Sequence, residues 1–150
     1  MKLLLQRGGV TPDSLRKSGR TPLSWAAEKG REGVVKLLLG QEGVGPDTLD
    51  VEFGRTPLSW AAENGHEAVV SLLLERGNVN PDSLSKSRRT PLLLAARNGR
   101  EGVVKLLLER EDVDPNSSTK YAQTPLKLAA ENEHDGVAKL LRARHSRHIQ

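Results

Sequence analysis

Thr-Pro-Leu recurs at Thr21, Thr56, Thr90 and Thr124, with spacings of 35, 34 and 34 residues. Leucine runs that begin at Leu3, Leu37, Leu72, Leu106 and Leu140 step by 34, 35, 34 and 34, and Pro12, Pro46, Pro81 and Pro115 step by 34, 35 and 34. Three unrelated series share one long step, and their overlap places the extra residue between Pro46 and Thr56. Such a period constrains the chain more than its composition does. Each period is one supersecondary unit, too small to bury its own apolar side, so units must stack and each contacts only its neighbours.

The unit is clearest in TPLSWAAENGHEAVVSLLL, Thr56 to Leu74, which reads as two short helices. Thr56 suits an N-cap, where its hydroxyl accepts from an orphan amide, and Pro57 suits the first helical position. Ala61 and Ala62 leave room for another helix to approach closely. Asn64-Gly65 ends the helix, since Gly accepts the left-handed conformation common just past a helix end. The second helix starts near His66-Glu67, and Val69, Val70, Leu72, Leu73 and Leu74 form too wide an apolar stripe for a helix lying on water. The chain therefore parses as a single domain. It has a leading fragment over residues 1–11, units over 12–45, 46–80 and 81–114, and a last unit over 115–150. Pro-led connectors rich in Asp, Ser and Gly join the units.

Composition narrows the setting. Aromatics make up 3% of the chain, so the core must be Leu, Val and Ala. With no cysteine there is no disulfide framework and no thiol chemistry. Leu3-Leu4-Leu5 is too short for a secretory signal, and no run is long enough for a membrane span. Asn116-Ser117-Ser118 fits a glycosylation acceptor, but without a secretion signal a chance match is the better reading. A cytoplasmic or nuclear location is expected. The net charge of +4 and pI near 9.6 allow an acidic partner without requiring one.

TPLSWAAEKG, TPLSWAAENGHEAVVSLLLERG and TPLLLAARNGREGVVKLLLER resemble ankyrin repeats, and the resemblance covers essentially the whole chain. The Trp variant and the Pro-Asp-Ser connectors look most like the long ankyrin arrays of fungal proteins. The resemblance implies an all-α fold: a solenoid of stacked antiparallel helix pairs joined by projecting turns, with four full repeats behind an N-terminal half repeat. Departures from the family pattern are informative. Its His after Thr-Pro-Leu is Ser24, Ser59, Leu93 and Lys127 here. The Asp that often opens the turn, five residues before the Thr, is Arg16, Val51, Ser85 and Thr119. The turn Gly survives as Gly19 and Gly54 but becomes Arg88 and Ala122, and the helix-ending Gly30, Gly65 and Gly99 give way to Glu133. A non-Gly residue at such places is strained if its φ is left-handed. In the last unit Leu140-Leu141-Arg142 replaces the leucine triplet, as a water-facing terminal repeat requires.

No catalytic constellation emerges. His66 and His134 fall in the turn between paired helices, where the family carries a structural His, and His145 and His148 fall in a mobile basic tail. Two histidines make a poor zinc site, so neither a metal nor a cofactor is expected. Gly40–Gly45 lacks the order of a phosphate-binding loop and reads as a connector. Trp25 and Trp60 take the family's helix-one Leu position, which implies packing between units.

What remains is a binding surface. The resemblance implies that turn tips and the exposed side of helix one form a concave face for a protein partner. Lys17, Arg20, Lys29, Phe53, Arg55, Lys86, Arg88, Arg89, Arg97, Lys120 and Tyr121 are the candidate contacts. Phe53 and Tyr121 are the chain's only Phe and Tyr; they act either as exposed anchors or as local packing. The face and its neighbours hold nine basic residues and the four acidic residues Glu28, Glu52, Glu63 and Glu131. That is a net of +5, where the whole chain carries +4. Either an acidic or mixed patch on the partner answers this charge, or it is ordinary solvation. The expected function is a non-enzymatic protein–protein interaction module with no small-molecule substrate and no membrane contact. A scaffold or piece of a longer array is the alternative, and nucleic-acid binding a weaker one, because acidic residues interrupt the face and stacking aromatics are few. The chain is expected to be a monomer, or to self-associate weakly through an open N-terminal end.

Overall fold

The computed structural model describes residues 19–76 and 78–149, with side chains through Arg144. Lys17, the leading fragment and its open end therefore lie outside the described residues. Eight helices are present there: α1 Pro22–Lys29, α2 Glu32–Leu39, α3 Pro57–Glu63, α4 Glu67–Leu74, α5 Pro91–Arg97, α6 Glu101–Leu108, α7 Pro125–Glu131 and α8 Asp135–Ile149. No strand occurs among the described residues.

The first helix of every pair starts the way Thr-Pro predicts. Thr21, Thr56, Thr90 and Thr124 are extended, and each hydroxyl accepts from the backbone N–H three residues on, at 3.1–3.2 Å. Proline follows as the first helical residue, where its missing donor costs nothing. The last three first helices end on Asn64, Asn98 and Asn132, whose side-chain amides donate to the carbonyls of Trp60, Leu94 and Leu128 at 2.7–2.9 Å. Each of these carbonyls also accepts the backbone N–H of the same asparagine at 3.2–3.3 Å, so the side chain adds a second bond that fastens the helix end.

Each helix of a pair packs on its mate, each first helix on the next first helix, and each second helix on the next second helix. One continuous apolar cluster runs through all four pairs. Leu23, Leu58 and Leu92, with the alanine pairs at 26–27, 61–62 and 95–96, fill the contact between first helices. Val35, Val69, Val103 and Val137, with Leu38, Leu73, Leu107 and Leu141, fill it on the second-helix side. The fold is thus an all-α solenoid of stacked helix pairs.

Polar ties between pairs add to this core. The Nε2 atoms of His66 and His134 lie 2.8 and 3.0 Å from the carbonyl oxygens of Glu28 and Arg97 in the preceding pair, and Arg100 Nε donates to Glu63 O at 2.9 Å. A carbonyl only accepts, so Nε2 carries the proton in both histidines. Each ring needs the bare Cα of the previous turn: a Cβ on Gly30 or Gly99 would sit 2.5 or 2.6 Å from a ring nitrogen. On the other side of the stack Arg76, Arg110 and Arg144 donate to Leu39, Leu74 and Leu108 carbonyls at the ends of the preceding second helices. In the connectors, Asp47 and Asp82 accept from the amides of Asn80 and Asp114 at 2.6 and 2.7 Å.

Two expectations need correction. The segment through His145 and His148 is not a free tail: α8 continues to Ile149. The turn-opening residue of the second unit is Asp50, not Val51. Asp50 N donates to Arg55 O, where the next turns close from Ser85 to Arg89 and from Thr119 to Gln123. The second turn is one residue longer, which locates the extra residue of the 35-residue step inside 51–54.

Candidate protein-binding face

In three of the four pairs the residue before the Thr cap folds back along the helix that follows. Arg20 Nη1 donates to Glu28 Oε1 at 2.9 Å, Arg55 Nη1 to Glu63 Oε1 at 3.0 Å, and Gln123 Nε2 to Glu131 Oε2 at 3.4 Å. The partner is eight residues on in each case. The reversal at the cap brings the turn against the end of the helix, so the pairs mark one side of the stack, where turn and first helix meet.

Aromatic rings enclose the first two pairs. The Arg20 guanidinium carbon lies 3.9 Å from the ring centroids of both Trp25 and Trp60, so one cation bridges two units. It also donates to Ser24 O and Oγ at 3.3–3.4 Å. Arg55 lies 4.6 Å from the Trp60 ring and 5.5 Å from the Phe53 ring. Phe53 meets Trp60 edge-on, centroids 5.8 Å apart. Such contacts contribute about 0.5–2 kcal/mol each, most where water is excluded. Asp50 holds the base of this cluster: its Oδ1 accepts from the amides of Phe53 and Gly54 at 2.6 and 3.1 Å, and its Oδ2 from Trp60 Nε1 at 2.9 Å.

The candidate residues therefore divide. Arg20 is 4% exposed and saturated by Glu28, Ser24 and two indoles, so it is withdrawn from the surface set. Arg55 is half-buried and paired. Phe53 combines both readings: it packs on Trp60 yet keeps 43% of its surface exposed. The tryptophans divide too. Trp60 is buried as expected, but Trp25 is 37% exposed, which corrects its placement in the core. Lys29, Lys86, Arg88, Arg97, Lys120 and Tyr121 are exposed, and Arg89 is half-buried. Lys86 Nζ donates to Val51 O, and its backbone N–H to Phe53 O at 3.0 Å, tying two turns together. Lys120 Nζ lies 5.1 Å from the Tyr121 ring, and Tyr121 is 70% exposed.

Sequence reasoning missed the pairing of Arg20 and Arg55 with glutamates it had placed beside them, because a separation of eight is not a helix-neighbour spacing. It also missed Asp50, one position out of register. Among the described residues no group of three or more His, Asp or Glu side chains converges as a metal site. A recess of about 490 Å³ lies between α6 and α8, lined by Lys105, Leu140 and Arg144 among others. It is on the second-helix side, and Arg144 there donates to the carbonyls of Leu108 and Arg110. No described helix is long and apolar enough to cross a membrane.

A family model for ankyrin repeats, in three copies, matches residues 1–83 and again residues 77–149. Comparison with curated proteins finds none that matches. The family match spans nearly the whole chain, and the capped, stacked helix pairs are what its pattern requires; the chain belongs to the ankyrin repeat family.

Proposed function

We propose that this protein is a non-enzymatic interaction module, working in the cytoplasm or nucleus, whose binding face is the side where turns meet first helices. Ankyrin repeats are generally protein–protein interaction modules. The observation that carries the reading here is that exposed Phe53, Lys86, Arg97, Lys120 and Tyr121 project from a frame cross-tied between units. Side chains held this way lose little ordering entropy when a partner docks. The face spans the units 12–45, 46–80, 81–114 and 115–150 as one domain. Its surplus positive charge suits a partner with an acidic or mixed patch.

In the sequence the other two units carry Ser18 and Ser87, three residues before their Thr, where Phe53 and Tyr121 stand, so serine is the mild replacement. The double variant Phe53→Ser, Tyr121→Ser is expected to lose capture of its partner from cell extract. An interface aromatic of this kind contributes about 2 kcal/mol or more. Unchanged circular dichroism would show the stack intact. Capture equal to wild type would place the binding surface elsewhere.

A further inference from the structure

Three helix pairs share a pattern that the third pair breaks. Before the cap and eight residues on stand Arg20 and Glu28, Arg55 and Glu63, Gln123 and Glu131, each hydrogen-bonded. In the third pair the same positions hold Arg89 and Arg97. Two cations stand where the first two pairs build an ion pair and the fourth an amide–carboxylate bond. Arg89 Nε is shut off from water and has no hydrogen-bond partner. Burial disfavours the Arg89 cation first, and the charges of Arg97 and Arg55 add to this; Glu63 opposes them. Arginine does not shed its proton to relieve such stress, so the site lacks an anion.

We propose that Arg89 and Arg97 form a socket for a carboxylate supplied by a protein partner, an aspartate or glutamate side chain of an acidic segment. The partner's carboxylate completes the pair that Glu28, Glu63 and Glu131 complete internally in the other units. Exposed Arg97 receives it first, and half-buried Arg89 closes on it from beneath. Arginine and carboxylate match in a planar fork, which gives register as well as attraction. A carboxylate is the group that the other three units place at this position, from Glu28, Glu63 and Glu131. The inference rests on the binding-face reading and names the chemistry at its centre.

The test titrates the purified full chain with a fluorescein-labelled hexaglutamate peptide. Wild type is expected to bind saturably, and more weakly as salt is raised. Arg97→Glu rebuilds the internal pair and fills the socket from within. It should weaken peptide binding by about tenfold or more, while the melting temperature rises by about 1–3 °C. A misfolded variant would instead melt lower. Arg97→Gln, which only removes charge, should also weaken binding. Equal affinity in wild type and both variants would overturn the socket. So would tighter, Arg97-dependent binding of a matched phosphoserine peptide, which would reassign it to phosphate. If hexaglutamate fails to bind while capture from extract still depends on Phe53 and Tyr121, the socket falls and the face stands. If capture is also indifferent to those aromatics, the face falls too.

Discussion

Three non-glycine residues among those described hold a backbone conformation that L side chains avoid. Arg88, Ala122 and Glu133 have φ of 60°, 60° and 62°, at the places where other units carry Gly19 and Gly54 or Gly30, Gly65 and Gly99. A left-handed non-Gly residue costs about 1 kcal/mol relative to glycine. Ala122 is the clean case, because it is exposed and has no side-chain function to lose. Ala122→Gly should raise unfolding free energy by about 0.5–1 kcal/mol, less than the full strain because glycine loses more entropy on folding. Urea denaturation would show a higher midpoint at unchanged slope; a lower midpoint would mean the turn is not strained. The strain at Arg88 and Ala122 was legible, since the missing glycines stand out against their repeats. Asp50 was not. Counting back from Thr56 assigns its role to Val51, and period alone cannot say on which side of the extra residue a given position falls.

The helix pairs were legible because each carries two signals that agree, a Thr-Pro start on its first helix and an apolar stripe on its second, and the stack demands both. The ties between elements were not. A separation of 32 to 38 residues has no local signature, so nothing in the sequence singles out Arg76, Arg110 or Asp82, and His66 is placed only by its family position, although each bonds the neighbouring unit. The connector aspartates make the consequence measurable. Asp82 Oδ2 accepts the Asp114 amide, but its Oδ1 is buried without a partner. Burial, then the charges of Asp114 and Asp112, raise its pKa above 3.8, and the amide bond only partly offsets this. The folded state therefore holds this proton more tightly than the unfolded chain does. Asp82 favours folding below the unfolded value and loses that contribution as pH rises through the folded one. Asp82→Asn keeps an acceptor for the Asp114 amide and removes the charge. It should melt higher than wild type at pH 7, with the gap closing as pH falls below about 3.8. A gap that is unchanged at low pH would show that the carboxylate is not the cause.

At the scale of the whole molecule, stability should be a sum of unit terms and nearest-neighbour interfaces, and the position of a lesion should decide how much of the stack it removes. Ala61 in α3 and Ala129 in α7 are both 0% exposed and occupy the same place in their units. A glutamate at either buries an unpaired charge, at a cost of several kcal/mol against a total of about 5–15. The neighbours differ. α3 packs against both α1 and α5, so Ala61→Glu cuts two first-helix interfaces and leaves no three intact pairs in contact. About three repeats are needed to bury a continuous core, so this variant should lose most of its helical circular dichroism in one step. Among the described first helices α7 packs only against α5, so Ala129→Glu spares the three pairs before it. Roughly two thirds of the signal of the described helices should survive, because the long α8 belongs to the last pair, with a separate early melt for that pair. Leu73→Asp, also at 0% exposure in the second unit, should behave like Ala61→Glu. If the Ala61 and Ala129 variants lost equal helicity, coupling would extend beyond adjacent pairs, and the rigid row of side chains on the binding face would be a property of the entire stack.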